Sequence, residues 1–118
     1  MGVAVLAPDP NLFWGGGNGQ NRVNGAAHAQ AVSDLMTDVL PNMVAFNQSN
    51  VNFMGVSGGS LMMSGYFIPQ NMQNFPNAAI MLACGAQAPM VPFQNQQAVI
   101  QQTRIHYQSQ SSEIRPTP

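Results

Sequence analysis

Short continuous apolar runs alternate along the chain with polar stretches rich in glycine, proline, asparagine and glutamine. Four runs are typical of strands buried in a sheet. They occupy residues 3–7, 51–56, 78–85 and 104–108, the last with alternating polarity. Helical patterns separate the later runs, which predicts an α/β fold with a mostly parallel sheet of about four strands. We expect a small three-layer αβα sandwich over residues 1–108, followed by a polar tail over residues 109–118.

The first helix is predicted over residues 26–40, where apolar side chains recur with the i, i+3, i+4 spacing of one helical face and Pro41 follows. These side chains are Ala29, Val32, Leu35, Met36, Val39 and Leu40. We expect this face, from Val32 to Val39, to cover one side of the sheet. His28, beside alanines in the first turn, is expected to be a surface or capping residue.

Two further helices are predicted. Residues 60–68 are apolar on every side, which is typical of a helix buried against a sheet, and Pro69 is expected to end it. A short helix is expected around Val99 and Ile100, inside a glutamine-rich stretch.

A Gly-x-Ser-x-Gly motif, Gly55-Val56-Ser57-Gly58-Gly59, stands between the run 51–56 and the helix 60–68. A strand that turns directly into a helix around one residue strains the backbone of that residue, and small neighbours let the two elements approach closely. The serine hydroxyl would then lie beside free N–H groups that favour a developing anion. The flanks therefore predict a nucleophile elbow at Ser57, and the alternative is a structural glycine turn with an incidental serine.

Charged residues make up 6% of the 118 residues, with three arginines, no lysine and a formal net charge of −1. So few cations exclude nucleic acid as the main partner, and no segment resembles a basic amphipathic membrane helix or a membrane span. Cys84 is the only cysteine, so an internal disulfide is excluded and a small buried core residue is expected. The start of the chain lacks a signal-peptide pattern, so we expect an intracellular protein or one whose N-terminus lies upstream.

A loop rich in glycine and asparagine precedes the first helix. Gly15, Gly16 and Gly17 do not form a dinucleotide-binding motif, because Gln20 stands where the last spaced glycine is required. A glycine triplet can present backbone N–H groups to an oxyanion, and Gly16 is the candidate donor. The alternative is a surface loop in which Trp14 packs back on the domain.

The motif and its flanks resemble a fungal branch of the α/β-hydrolase superfamily. The resemblance is carried by Gly2 to Pro8, Ala27 to Met43, Asn50 to Pro69, Ala83 to Gly85 and Ile105 to Ser109. It runs along nearly the whole chain, which spans only the middle of a complete hydrolase. Some fungal proteins of this type are labelled cyclin-like F-box proteins, a name that these residues do not support.

The resemblance implies a serine esterase or lipase that acts on a small-molecule ester without a cofactor. It makes Ser57 the nucleophile and the N–H of Gly58 an oxyanion donor. The acid of the superfamily follows the last predicted strand, so Glu113 is the candidate, with an exposed tail carboxylate as the alternative. The base follows a later strand, where neither His28 nor His106 lies. We therefore expect a placed nucleophile without its histidine and without a second oxyanion donor from upstream.

Two other interpretations remain open. Patatin-like and cytosolic phospholipases share Gly-x-Ser-Gly-Gly-Ser and a glycine-rich oxyanion loop ahead of it, which Gly15-Gly16-Gly17 followed by Arg22 resembles. The Asp-Gly pair that those enzymes need does not occur in this sequence. From a different class, a non-catalytic domain that forms homo-oligomers is possible, because open sheet edges and a nearly uncharged surface rich in Asn and Gln favour association.

Overall fold

The computed structural model describes residues 2–16 and 22–108. In this part of the chain three parallel strands form one sheet in the order β1-β2-β3. They are β1 (Asn52–Val56), β2 (Ala79–Ala83) and β3 (Arg104–Gln108). Their positions and their parallel pairing agree with the sequence prediction, so an α/β domain with a parallel sheet is confirmed.

Helices precede and connect the strands. The first helical segment consists of α1 (Gly25–Asp34), a π-helical turn (Leu35–Val39) and a 3-10 turn (Leu40–Asn42). The second, which we call the elbow helix, consists of α2 (Gly58–Met62), a π-helical turn (Met63–Phe67), α3 (Ile68–Asn71) and a 3-10 turn (Met72–Asn74). Between β2 and β3 lies α4 (Gln96–Gln102).

The hydrophobic core lies between the elbow helix and one face of the sheet. The ring of Phe53 on β1 lies 5.0 Å from that of Phe67 and 5.1 Å from that of Phe75, in the tilted and edge-on arrangements that aromatic pairs prefer. Ile80 on β2 is almost fully buried beside them. The first helical segment packs on the elbow helix, and its buried Val32 belongs to the same core.

The opposite face of the sheet is open in the described residues. Side chains alternate between the faces of a strand, so Met54 and Val56 point away from the core, and they are 62% and 57% exposed. Met81 on β2 is 37% exposed. The described residues therefore form two layers and not the predicted three, because α1 packs on the elbow helix instead of crossing to the other face.

The predicted first strand, residues 3–7, is wrong. The structure shows no strand between residues 2 and 7, and Val3 and Leu6 are 52% and 77% exposed, while Ala7 is buried. An apolar run predicts burial, but a strand also needs a neighbouring edge in register. Val3, Ala4 and Val5 line a groove beside β1, which pairs only with β2 in the described sheet.

Pro69 does not end the elbow helix, which continues through α3. A proline inside a helix lacks an N–H and crowds the carbonyl four residues earlier. Here a π-helical turn immediately precedes α3, and the carbonyl of Gly65 accepts the N–H of Met90 at 2.8 Å instead. The widened turn and this outside partner let the helix pass through the proline.

The predicted apolar face of the first helix also ends early. Val32 is 7% exposed, but Leu35 is only half-buried and Val39 is 43% exposed. A π-helical turn holds more residues than an α-helical turn, so the side chains that follow Asp34 rotate away from the direction that the α-helical spacing predicts.

Candidate functional site

Ser57 lies between β1 and α2 at the carboxyl edge of the sheet, with φ 54° and ψ −114°. A non-glycine residue rarely adopts positive φ, and this combination belongs to neither a strand nor a helix. Its N–H donates to the carbonyl of Ala83 at 2.9 Å, and its carbonyl accepts the N–H of Leu61 at 3.1 Å. One residue thus makes the last sheet contact and the first helical contact. The predicted strained strand-to-helix turn is confirmed.

Gly55 allows the helix to begin directly against the strand. A Cβ atom at this position would lie 2.8 Å from the carbonyl oxygen of Gly59 and 2.9 Å from the backbone nitrogen of Ser60. Contacts this short with backbone atoms do not occur in folded proteins, so the close approach of α2 to β1 requires glycine at position 55.

Unpaired backbone donors lie next to the Ser57 side chain. Ser57 is exposed, and among the described residues the N–H groups of Gly58 and Gly59 have no acceptor. The first N–H groups of a helix have no partner within the helix. Backbone N–H groups beside a serine hydroxyl are the kind of donor that stabilises a tetrahedral oxyanion once a base has activated the hydroxyl. The role of Gly58 as an oxyanion donor stays a prediction.

Gly16, the other predicted donor, has its N–H engaged in a turn. With φ 60°, it donates to the carbonyl of Phe13 at 3.0 Å. The N–H of Gly15 is engaged too, because it donates to Nδ1 of His28 at 2.8 Å. Gly17 lies outside the described residues. In this conformation, neither Gly15 nor Gly16 has an N–H available for an oxyanion at Ser57.

His28 is buried, so the prediction of a surface or capping residue is wrong. Only 5% of it is exposed, and its ring packs edge-on against Trp14 with the ring centroids 5.9 Å apart. Trp14 in turn lies against the elbow helix, with its Cδ1 3.5 Å from the place of a Cβ on Gly59. His28 therefore holds the glycine loop against the elbow helix through a ring contact and a hydrogen bond.

Arg22, which follows the glycine triplet, lies near the elbow, a position that the sequence analysis did not predict for it. It is 9% exposed, and one guanidinium nitrogen donates to the carbonyl of Trp14 at 2.7 Å. The same nitrogen lies 3.4 Å from the place of a Cβ on Gly58, the residue after the serine. Its sequence signal is a rare cation in a chain that has only three.

His106 and Glu113 are not brought to Ser57 by the described structure. His106 pairs in register with Met81, which pairs with Met54, so it lies two strands across and three residues below the level of Ser57. Strand spacings of about 4.8 Å and rises of about 3.3 Å per residue separate the two Cα atoms by about 14 Å. Glu113 lies outside the described residues, and its role as the acid stays a prediction.

Cys84 follows β2 at the carboxyl edge of the sheet and is half-buried, with φ 65°. The expectation of a buried core position is wrong, because the chain turns out of the sheet at this residue. The next residues are tied to the elbow helix by two hydroxyl groups. Ser60 donates to the carbonyl of Gly85, and Ser64 accepts the N–H of Gln87 at 2.8 Å.

A groove of about 740 Å³ borders the site on the side of β1 away from β2. Trp14, Val56 and Gly59 line it close to Ser57, and the remaining lining is mostly apolar. The groove provides room for an apolar group next to the serine.

Residues 2–16 and 22–108 contain no group of three or more His, Cys, Asp or Glu side chains that could hold a metal ion. None of the helices described is both long enough and apolar enough to span a bilayer. Comparison of the chain with protein-family models, with curated proteins and with solved structures gives no match.

Proposed function

We propose that the chain is the elbow-bearing part of an α/β-hydrolase-like serine esterase or lipase, with Ser57 as its nucleophile. The observation that carries the proposal is the backbone of Ser57, at φ 54° and ψ −114° between a parallel strand and a helix. Backbone strain of this kind persists only where the surroundings impose it, and it clusters at active sites. In a complete enzyme of this type, a further layer of helices would cover the open face of the sheet.

The reaction would be acyl transfer. The Ser57 oxygen attacks the carbonyl carbon of an ester while a base takes its proton, and the N–H of Gly58 donates to the oxyanion. Collapse of the tetrahedral intermediate expels the alcohol and leaves an acyl-serine, which water then hydrolyses. Glu113 would orient the base. The groove beside β1 would receive an apolar acyl group.

We also propose that the base is missing from this chain. Its only histidines are His28 and His106. His28 accepts a hydrogen bond from Gly15 in a buried position, and His106 lies across the sheet from Ser57. A serine hydroxyl without a base in hydrogen-bond reach is a weak nucleophile, so Ser57 should react slowly.

A fluorophosphonate probe with mass-spectrometric mapping tests both parts. We expect slow labelling at Ser57 that added imidazole accelerates, because imidazole can replace an absent histidine base. The Ser57→Ala variant should give no label at this position with or without imidazole. The Ser49→Ala variant, which alters an exposed serine in a turn, is the matched control and should label like the unaltered chain.

Two results would count against the proposal. Absence of label at Ser57 even with imidazole would remove the nucleophile assignment. Hydrolysis of p-nitrophenyl acetate that needs no imidazole and is lost in Ser57→Ala would show that His28 or His106 serves as the base, and the assignment of a missing histidine would be wrong.

A second candidate is a non-catalytic domain that self-associates. The observation that favours it is the open face of the sheet, where Met54, Val56 and Met81 are exposed together. Apolar patches of this kind are typical of interaction surfaces. Sedimentation equilibrium at increasing concentration tests it, and a monomer throughout would remove this candidate.

A further inference from the structure

A buried guanidinium group lies beside the elbow, and residues 2–16 and 22–108 place no counter-ion on it. Arg22 is 9% exposed, and its Nε–H is buried with no acceptor in the part of the chain that the structure describes. In that part of the chain the group donates one hydrogen bond, from a terminal nitrogen to the carbonyl of Trp14 at 2.7 Å. A buried charge is costly unless an opposite charge and hydrogen-bond acceptors compensate it.

The loop holds this guanidinium against the residue that follows Ser57. Its two terminal nitrogens lie 3.4 and 3.6 Å from the place of a Cβ on Gly58, whose own N–H is unpaired among the described residues. Gly15, with φ 83°, leaves room for the Arg22 side chain, because a Cβ at position 15 would lie 2.6 Å from Cδ of Arg22. The charge is thus fixed in place at the elbow.

The donors in this arrangement fit an anionic oxygen group. A guanidinium offers a rigid, planar set of N–H groups that match carboxylate and phosphate oxygens, and charge-assisted hydrogen bonds are the stronger kind. Asp9, the only acidic residue of the loop in the described part, is occupied otherwise, since one of its oxygens accepts the N–H groups of Asn11 and Phe13 at 3.0 and 3.2 Å.

We propose that Arg22 binds an anionic oxygen group of the substrate, a carboxylate or a phosphate next to the ester bond that Ser57 attacks. The inference rests on the proposed function for the identity of that substrate. Arg22 is here a substrate-binding residue that supplies charge and N–H donors and transfers no proton in the reaction. The preferred substrates are then esters with a negatively charged group close to the scissile bond.

The test is a titration of the ¹⁵N-labelled chain with inorganic phosphate and, separately, with acetate, followed by NMR. We expect saturable shifts of the Gly58 amide and the Arg22 Nε–H signals. Tighter binding of phosphate would assign a phosphate group, and tighter binding of acetate would assign a carboxylate. The absence of a saturable shift at Gly58 and Arg22 with either anion would overturn the proposal without any variant.

Two variants sharpen the result. Arg22→Lys keeps the charge but loses the planar set of donors, so we expect the apparent Kd for phosphate to rise about tenfold or more. Arg104→Gln is the matched control, because Arg104 is exposed at the amino-terminal end of β3, away from the elbow, and phosphate binding should not change. Equal weakening by both substitutions would indicate non-specific attraction and overturn the proposal.

The titration is independent of serine reactivity. Phosphate binding should persist in Ser57→Ala, which cannot be labelled by a fluorophosphonate. A chain that binds phosphate through Arg22 but never labels at Ser57 would support the anion site and count against the proposed function. A chain that labels at Ser57 but binds neither anion would support the proposed function and overturn the anion site at Arg22.

Discussion

Gly55 is the residue on which the close packing of α2 against β1 depends. A Cβ there would meet the carbonyl oxygen of Gly59 at 2.8 Å, and backbone atoms cannot rotate away as the end of a flexible side chain can. We expect Gly55→Ala to lower the free energy of unfolding by about 1–3 kcal/mol, since the helix must shift to admit the methyl group. Urea denaturation measures the change.

Gly2→Ala is the matched control for this substitution. A Cβ at Gly2 would meet nothing within 4 Å, so the free energy of unfolding should change by less than about 0.5 kcal/mol. If Gly55→Ala were equally mild, the start of α2 could not be packed directly on the strand, and the geometry that supports Ser57 as the nucleophile would be lost.

The conformation of Ser57 could be predicted from sequence because its cause is local. A strand, one residue and a helix between small neighbours leave few backbone solutions. The positions of His28 and Arg22 could not be predicted in the same way. His28 contacts Gly15, thirteen residues earlier, and Arg22 contacts the carbonyl of Trp14, so both depend on how the glycine loop folds back over α1. The spacing of apolar residues in the sequence does not predict how that loop folds.

Two valines in the first helical segment, Val32 and Val39, test the effect of its π-helical turn on side-chain burial. Val32 in α1 is 7% exposed, and Val39 at the end of the turn is 43% exposed. We expect Val32→Ala to lower the free energy of unfolding by about 1.5–3 kcal/mol, because it removes buried methyl groups and leaves a cavity. The same substitution at Val39 should change it by less than about 0.5 kcal/mol. Thermal or urea unfolding compares the two variants.

Equal costs at Val32 and Val39 would contradict the structure and favour the continuous apolar face that the sequence spacing predicts. The two alternatives differ because apolar spacing assumes uniform α-helical geometry. A π-helical turn changes the direction in which the following side chains point, and the spacing of apolar residues does not reveal such a turn. The same holds for the π-helical turn that precedes Pro69. The later three strands were predictable because each apolar run found a neighbouring strand, whereas residues 3–7 lack one in the described sheet.

At the scale of the whole domain, the described residues are arranged asymmetrically about the sheet. Within residues 2–16 and 22–108, the elbow helix covers one face, the other face is open, and β1 has a free edge that borders the groove. This asymmetry brings the candidate site, the groove and the open edge together on one side of the domain. The sequence predicted layers on both faces because buried strand runs are typical of covered sheets. The open face could not be foreseen, since it depends on where the helices pack.

Hydrogen exchange of individual backbone amides tests whether the outer edge of β1 is unpaired. The N–H of Ser57 donates to β2, and backbone groups alternate in direction along a strand, so Phe53 and Gly55 also face β2. Met54 and Val56 then direct their N–H groups to the free edge. In native-state hydrogen exchange at low protein concentration, we expect the amides of Met54 and Val56 to exchange about tenfold faster than those of Phe53 and Gly55, because only the latter pair within the sheet.

The outcome separates three arrangements of the edge. Fast exchange at Met54 and Val56 at all concentrations confirms β1 as a free edge in solution. Protection that grows with protein concentration would show that a second copy pairs there or covers the sheet face, as the self-association candidate requires. Protection that is already present in the dilute monomer would mean that a segment of the same chain adds to the edge. Residues 3–7, an apolar run whose Val3, Ala4 and Val5 line the groove beside β1, would then form the fourth strand that the sequence predicts.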